Sequence, residues 1–133
     1  MAADPTLPAA IDRLLEVAQQ RIAPRVQARE LDGEVAAGAL LVDIRPVEQR
    51  DRDGHLPGAL VIDRNVLEWR LDPTSPHRTP GMSDPDRRVV LICNEGYASS
   101  LAAAGLRDLG LRNVTDLAGG FQAWLHKTDD ATH

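Results

Sequence analysis

The stretch that decides the fold is VVLICNEGYASS, residues 89–100. Its first four residues are apolar without alternation, which is typical of a strand covered on both faces of a parallel sheet. The six residues that follow, 93–98, contain a glycine and lead into a segment with helical periodicity. We therefore predict a strand over residues 88–92, a turn over 93–98 and a helix over 99–109, which Gly110 ends.

Outward from this stretch, strand-like and helix-like segments alternate. A short strand is predicted over residues 25–27, and buried strands over 40–44, 60–62 and 114–117; helices are predicted over 28–37, 47–53 and 120–126. Residues 71–86 carry four prolines and form a long irregular loop, and such loops are often functional or mobile. The alternation predicts an α/β fold, in which a parallel sheet carries helices on both faces.

A helix is also predicted before the main domain. Asp4 and Pro5 are typical of a helix start, and Pro24 ends the pattern. We predict a helical extension over residues 1–24, a main domain over 25–127 and a disordered tail over 128–133. We expect the extension to fold back over the domain, although it is also suited to binding a partner or a second copy. Its apolar residues recur at helical spacing: Ile11, Leu14, Leu15, Ala18 and Ile22.

Composition limits the function classes. With 133 residues the chain suits one domain, and its net charge of −5 argues against binding to nucleic acid or to an anionic membrane. No apolar run approaches the roughly 20 residues of a membrane-spanning helix, and the N-terminus does not resemble a secretory signal. The single cysteine fits a reducing compartment, so we expect a cytoplasmic location. The four histidines are scattered, and we predict no metal site.

Cys93 is the main candidate for chemistry, because ligands of open α/β sheets bind at the carboxyl ends of the strands. Backbone N–H groups of the turn and the positive end of the following helix favour a thiolate, which can attack sulfur. The same groups can stabilise the terminal sulfur of a persulfide without a metal or an organic cofactor. The alternative is that Cys93 is a buried apolar side chain that ends a strand.

Four segments resemble rhodanese-like sulfurtransferases. Residues 89–100 resemble the active-site strand and loop, and the segments LVDIR (41–45), GHLPGA (54–59) and GGFQAW (119–124) follow in the expected order. The resemblance covers about residues 25–127 and implies a three-layer rhodanese-like fold and transfer of sulfane sulfur by double displacement. It implies a donor such as thiosulfate or another persulfide, and an acceptor such as cyanide, a thiol or a protein. Cys93 would be the nucleophile, and the anion cradle would be the backbone amides of Asn94, Glu95, Gly96, Tyr97, Ala98 and Ser99.

Two loop positions depart from the family pattern. Ala98 stands where many active members carry a basic residue, and Glu95 places a carboxylate in the loop. Since thiosulfate is a dianion, this loop should bind it poorly. We therefore predict persulfide chemistry with weak thiosulfate activity.

Other polar and aromatic residues receive mainly structural interpretations. We expect Asp43 and Arg45 to support the site by tying loops together through an ion pair. His55 is interpreted as part of a tight turn, and Asp63 and Arg64 as solvated charges. Three aromatic side chains have separate predictions: Trp124 packs on the core, Tyr97 lines the pocket entrance or packs half-exposed, and Trp69 is a candidate cover for the site.

Two other functions compete with sulfur transfer. Cysteine phosphatases and arsenate reductases use longer loops that end in an arginine, whereas here Ser99 follows Ala98 and the next arginine is Arg107. The signature of those enzymes is therefore absent. A non-catalytic sulfur relay, sensor or interaction module stays possible because the loop has no cation of its own.

Overall fold

The computed structural model describes residues 6–127 and contains a four-stranded parallel sheet. The strands are β1 (Leu40–Asp43), β2 (Leu60–Val61), β3 (Val89–Ile92) and β4 (Val114–Asp116), in the order β2-β1-β3-β4. Every pair is parallel, with Leu41 beside Val90 and Val90 beside Thr115. The predicted α/β class with a parallel central sheet is confirmed.

Within residues 6–127, six α-helices connect the strands or pack on the sheet. Their bounds are α1 (Ala10–Arg21), α2 (Leu31–Ala36), α3 (Val47–Asp53), α4 (Leu67–Leu71), α5 (Ala98–Leu109) and α6 (Gly120–Leu125), and 3₁₀ turns precede α2 and α4. Residues of α1, α4 and α5 belong to the apolar cluster on one face of the sheet, and residues of α2 and α6 to the cluster on the other. The domain is therefore three layers deep.

The central strand β3 contributes residues to both apolar clusters. Val89 and Leu91 belong to the first cluster, together with Cys93, while Val90 and Ile92 belong to the second. This alternation follows from the two-residue period of a strand, and it explains why the strand is apolar at every position. The site cysteine thus continues a fully buried strand.

Helix α1 packs against α5 and belongs to the same core. Ala18 and Ile22 are buried in the first apolar cluster, and Arg21 forms an ion pair with Asp108 of α5. The buried face is narrower than predicted, because Ile11 and Leu14 are more than half exposed. Asp4 and Pro5 lie outside the described residues, and the helix begins only at Ala10.

Three further predictions need correction. The strand at 60–62 was expected to be buried, but β2 is a two-residue edge strand that pairs only with β1, and Val61 is exposed. Residues 25–27 form one isolated bridge, between Val26 and Leu117, instead of a strand. Helix α4 was not predicted, because five residues are too short for a clear periodicity. The predicted disordered tail at 128–133 lies outside the described residues.

The proline-rich segment is irregular, as predicted, but it is anchored. Thr79 donates its backbone N–H to the carbonyl of Arg70 at 2.7 Å, and the Arg70 guanidinium donates to the carbonyl of His77 at 3.0 Å. Met82 is buried in the first apolar cluster. These contacts hold the loop against the end of α4.

Candidate active site

Cys93 lies directly after β3, at the floor of the turn that leads into α5, and it is 7% exposed. Its Sγ accepts hydrogen bonds from the backbone N–H groups of Gly96, at 3.1 Å, and Ser99, at 3.4 Å. The Ser99 hydroxyl oxygen lies 3.1 Å from the same sulfur. The sulfur is therefore packed against the apolar core on one side and faces polar hydrogens on the other.

The amides at the sulfur come from two of the six predicted cradle residues. In the described residues, the amides of Asn94, Glu95, Tyr97 and Ala98 make no hydrogen bond to Sγ. Gly96 and Ser99 are buried, whereas Glu95, Tyr97 and Ala98 are exposed at the rim of the turn. The turn thus brings the six residues around one point, but two amides hold the sulfur itself.

Two glycines permit this close packing. Gly96 has φ +87°, and a Cβ there would lie 2.7 Å from the backbone nitrogen of Gly119. Gly120 has φ +63°, and its Cβ would lie 2.6 Å from the carbonyl oxygens of Cys93 and Asn94. Two backbone hydrogen bonds join the closing turn to the cysteine loop. The N–H of Phe121 donates to the Cys93 carbonyl at 2.8 Å, and the N–H of Gln122 donates to the Asn94 carbonyl at 3.0 Å. The closing turn therefore fixes the shape of the cysteine loop.

A buried carboxylate stands behind the loop. Asp116, at the end of β4, is fully buried, and its Oδ2 accepts hydrogen bonds from the hydroxyls of Ser99 and Ser100, both at 2.7 Å. Arg25 approaches from the other side, donating from Nε to Oδ1 at 2.8 Å and from Nη2 to Oδ2 at 3.0 Å. The same Nη2 also donates to the Gly96 carbonyl at 2.7 Å. These bonds satisfy a charge that would otherwise be costly to bury.

Neither Arg25 nor Asp116 was identified from the sequence. Asp116 had one usable signal, because an acid inside a predicted strand of the sheet, residues 114–117, needs a partner if it is buried. The partner was not identifiable, since Arg25 is 91 residues away along the chain.

A pocket of about 430 Å³ opens above Cys93. Its walls come from the end of β1, from α3, from the 3₁₀ turn before α4 and from the cysteine loop. Two arginines and one glutamate are among its lining residues. The lining residues are Ile44, Arg45, Pro46, Gln49, Arg64, Cys93, Asn94, Glu95, Tyr97 and Ala98.

The predicted supporting pair, Asp43 and Arg45, is buried beside this pocket. Arg45 donates from Nη2 to Asp43 at 2.8 Å and to the Gly54 carbonyl at 2.9 Å, which ties the end of β1 to the turn after α3. Its guanidinium carbon lies 3.7 Å from the centre of the Phe121 ring. Arg45 Nη1 is buried without a hydrogen-bond partner among the described residues. The pair thus joins β1, α3 and α6.

The other candidates occupy different places. Arg64 was interpreted as a solvated charge; it is exposed and paired with Glu68 at 3.0 Å, yet it lines the pocket. Tyr97 lines the pocket and is 58% exposed. Trp69 does not line it: Leu67 and Leu71 of α4 point into the core, so the residue between them points outward. The prediction that Trp69 covers the site is wrong.

His55 and Trp124 were both interpreted as structural residues. His55 is exposed. The Phe121 and Trp124 rings are 5.3 Å apart, and Trp124 packs against the second apolar cluster as its spacing predicted. Within residues 6–127, no group of three or more His, Cys, Asp or Glu side chains is placed to hold a metal ion. No helix in that part of the chain is long and apolar enough to cross a membrane.

The parallel sheet and the cysteine whose sulfur accepts two turn amides define an α/β protein with a buried thiol at the carboxyl end of a central strand. Comparison with known families gives the narrower class. The rhodanese-like domain family matches residues 27–127, so the chain belongs to the rhodanese-like family.

Individual relatives agree with this assignment. A thiosulfate sulfurtransferase GlpE from Pseudomonas aeruginosa is 35% identical over 105 residues, which are 79% of this chain and 83% of that protein. The chain also matches an adenylyltransferase and sulfurtransferase of Candida albicans at 32% identity over 68% of its own length, but over only 20% of that protein.

Solved structures show the same fold. The human single-domain sulfurtransferase is 30% identical, with a TM-score of 0.63 over 79% of this chain and 97% of its own. A Rhodopseudomonas palustris protein, described as being of unknown function and a possible tyrosine phosphatase, is 31% identical. It has a TM-score of 0.77 over 98% of this chain and 97% of its own, so the likeness extends beyond the family match to the region of α1.

Proposed function

We propose that this protein is a sulfurtransferase that carries sulfane sulfur as a persulfide on Cys93. The Cys93 thiolate attacks the outer sulfur of a donor, a new S–S bond forms, and the donor leaves with the electron pair of its broken bond. A thiol or cyanide acceptor then attacks the terminal sulfur, and the Cys93 thiolate departs. The cytoplasm, where a single thiol stays reduced, is the proposed location.

One observation carries this proposal: the Cys93 sulfur receives two backbone N–H groups at the floor of a pocket. Fixed amide donors stabilise a sulfur anion without reorganising during the reaction. The pocket gives a second sulfur room above the first. The relatives named as sulfurtransferases support the same reaction.

Thiosulfate is proposed to be a poor donor for this site. Glu95 lines the pocket and Ala98 supplies no charge, while the nearby Arg64 is already paired with Glu68. A dianion that enters therefore meets a carboxylate and a partly neutralised guanidinium. A low-molecular-weight persulfide, whose reacting end carries at most one negative charge, suits this site better.

The test is intact-protein mass spectrometry after incubation with each donor. A low-molecular-weight persulfide should add the mass of one sulfur atom to the wild-type chain, and an added thiol should remove it. Cys93→Ser should gain nothing, and thiosulfate:cyanide turnover should be slow. Because the chain has one cysteine, the adduct reports on Cys93 alone.

The outcomes separate the proposal from its alternatives. A chain that gains no sulfur from any donor is a binding module and contradicts the proposal, and efficient turnover of thiosulfate contradicts the donor preference. A phosphatase function has less support, because Arg107, the first arginine after the loop, donates to the carbonyl of Val114 at 3.0 Å near the far end of α5.

A further inference from the structure

The Ser99 hydroxyl lies between the Cys93 sulfur and a buried carboxylate. Its oxygen is 2.7 Å from Asp116 Oδ2 and 3.1 Å from Cys93 Sγ. A serine hydroxyl has one proton to donate. It can therefore donate to the carboxylate or to the sulfur at any moment, but not to both.

The position of that proton depends on the state of Cys93. While Ser99 donates to Asp116, its oxygen is free to accept the S–H proton of a neutral Cys93 thiol. When Cys93 is a thiolate it has no proton to give, and its best partner is a Ser99 hydroxyl turned toward the sulfur. Ionisation of Cys93 therefore favours the transfer of one hydrogen bond away from Asp116.

Asp116 is equipped to lose that bond. Its Oδ1 and Oδ2 keep the two bonds from Arg25, and Oδ2 keeps the bond from Ser100. Arg25 also balances the negative charge of the carboxylate, and its bond to the Gly96 carbonyl holds the residue whose amide reaches the sulfur. Arg25 and Asp116 thus each bond to a residue that contacts the sulfur, Gly96 and Ser99 respectively.

We infer that the Arg25–Asp116 pair sets how readily Cys93 ionises, acting through the hydroxyl of Ser99. Asp116 favours the thiol, because it competes for the Ser99 proton and adds negative charge near the sulfur. Arg25 favours the thiolate, because it cancels that charge. Both are positioning residues, and the inference rests on the proposed use of Cys93 as a thiolate.

Other charged and titratable groups also lie near Cys93, but substituting Arg25 or Asp116 leaves them unchanged. They share the pocket wall with the sulfur, apart from Asp43, which acts through its pair with Arg45. These groups are Asp43, Arg45, Arg64, Glu95 and Tyr97.

The test is the pH dependence of alkylation of the single cysteine by iodoacetamide, followed by intact mass. Asp116→Asn keeps the shape of the side chain and an oxygen for Arg25 Nε. Its amide nitrogen, at the position of Oδ2, donates toward Ser99 and no longer accepts from Arg25 Nη2. We expect its alkylation midpoint to fall by about 0.5–1 pH unit. Arg25→Gln should raise the midpoint by a similar amount, and Arg25→Lys, which keeps the charge, should restore part of the wild-type profile.

The opposite signs distinguish this role from a structural one. Loosening the loop would move both variants in the same direction, and that result would overturn the inference, as would two unchanged profiles. Glu34→Gln is the matched control, since it breaks a partly buried carboxylate–arginine pair with Arg88 elsewhere in the domain and should leave the profile unchanged. If Asp116→Asn does not fold, the two Arg25 variants decide the question: a midpoint that Arg25→Gln raises and Arg25→Lys restores supports the inference, and equal midpoints overturn it.

This readout is independent of sulfur transfer. If no donor forms a persulfide but the two alkylation midpoints still move in opposite directions, the proposed function is contradicted. The inferred role of the Arg25–Asp116 pair is then still supported. If persulfide forms while neither midpoint moves, the pair has no such role and the proposed function stands.

Discussion

At the scale of single residues, Gly120 is the most constrained position next to the cysteine loop. Its Cβ would lie 2.6 Å from three backbone atoms of Cys93 and Asn94, and backbone cannot move aside as a flexible side chain can. We expect Gly120→Ala to lower the free energy of unfolding by about 2–4 kcal/mol and to slow persulfide formation, because the loop must shift. Urea unfolding and the sulfur-adduct assay measure the two effects.

The matched control for this substitution is Gly105→Ala. Gly105 lies in α5, and a Cβ there meets nothing within 4 Å. Alanine should stabilise the helix by about 0.5–1 kcal/mol, because glycine loses more backbone entropy on folding. A Gly120→Ala protein as stable as Gly105→Ala would show that the contact between the closing turn and the loop is not tight.

The residues of the loop were predictable from the sequence, but those behind it were not. Cys93 and Gly96 stand together after an apolar strand, and a strand end followed by a glycine-containing turn is a local signal. Asp116 and Arg25 come together only when β4 and the segment after α1 meet in space. Sequence patterns report neighbours along the chain, so a pair of this separation is visible only in the folded structure.

At the scale of elements, helix α1 is part of the core. Ile22, directly after the helix, is fully buried, whereas Leu14 on the helix is 58% exposed. We expect Ile22→Ala to cost about 2–4 kcal/mol in unfolding free energy, because it leaves a cavity in the first apolar cluster. Leu14→Ala should cost less than about 0.5 kcal/mol. Equal midpoints of the two variants in denaturant would contradict the packing of α1 on the domain.

Strand β2 and helix α4 show what the spacing of apolar residues cannot predict. The sequence of β2 is as apolar as that of a central strand, and only its pairing with a single neighbour makes it an edge. Helix α4 has one apolar pair, Leu67 and Leu71, which is too little to distinguish a helical turn from a loop. The longer α5 and the uninterrupted β3 were predicted to within one residue at each end.

At the scale of the whole molecule, an ion pair lies at the end of the sheet opposite the pocket. Arg88, just before β3, donates to Glu34 of α2 at 2.9 Å and to the side chain of Asn113 at 3.1 Å. The hydrogen bond from Arg88 holds the pKa of the Glu34 carboxyl below its ordinary value; partial burial opposes this effect and the positive charge of Arg88 adds to it. The pair therefore links two layers at a distance from the chemistry.

This pair predicts a defined pH dependence of stability. A carboxyl whose pKa is lowered by folding contributes fully above its ordinary value of 4.5, and that contribution is lost as the pH falls through the lowered value. We expect the free energy of unfolding of Glu34→Gln to be about 0.5–1 kcal/mol lower than that of the wild type at pH 7. This difference should shrink below pH 4.5. Urea unfolding at several pH values measures it. A difference that grows on acidification would mean that the pKa shift has the opposite sign.

Cys93 is the single cysteine of these 133 residues, and its sulfur lies at the floor of a pocket. When peroxide converts such a thiolate to a sulfenic acid, repair begins with a second thiol that condenses with it. No neighbour on this chain can play that part. Under the proposed function, recovery from oxidation therefore requires a reductant small enough to enter the pocket, and the same pocket walls limit the size of both the sulfur donor and this reductant.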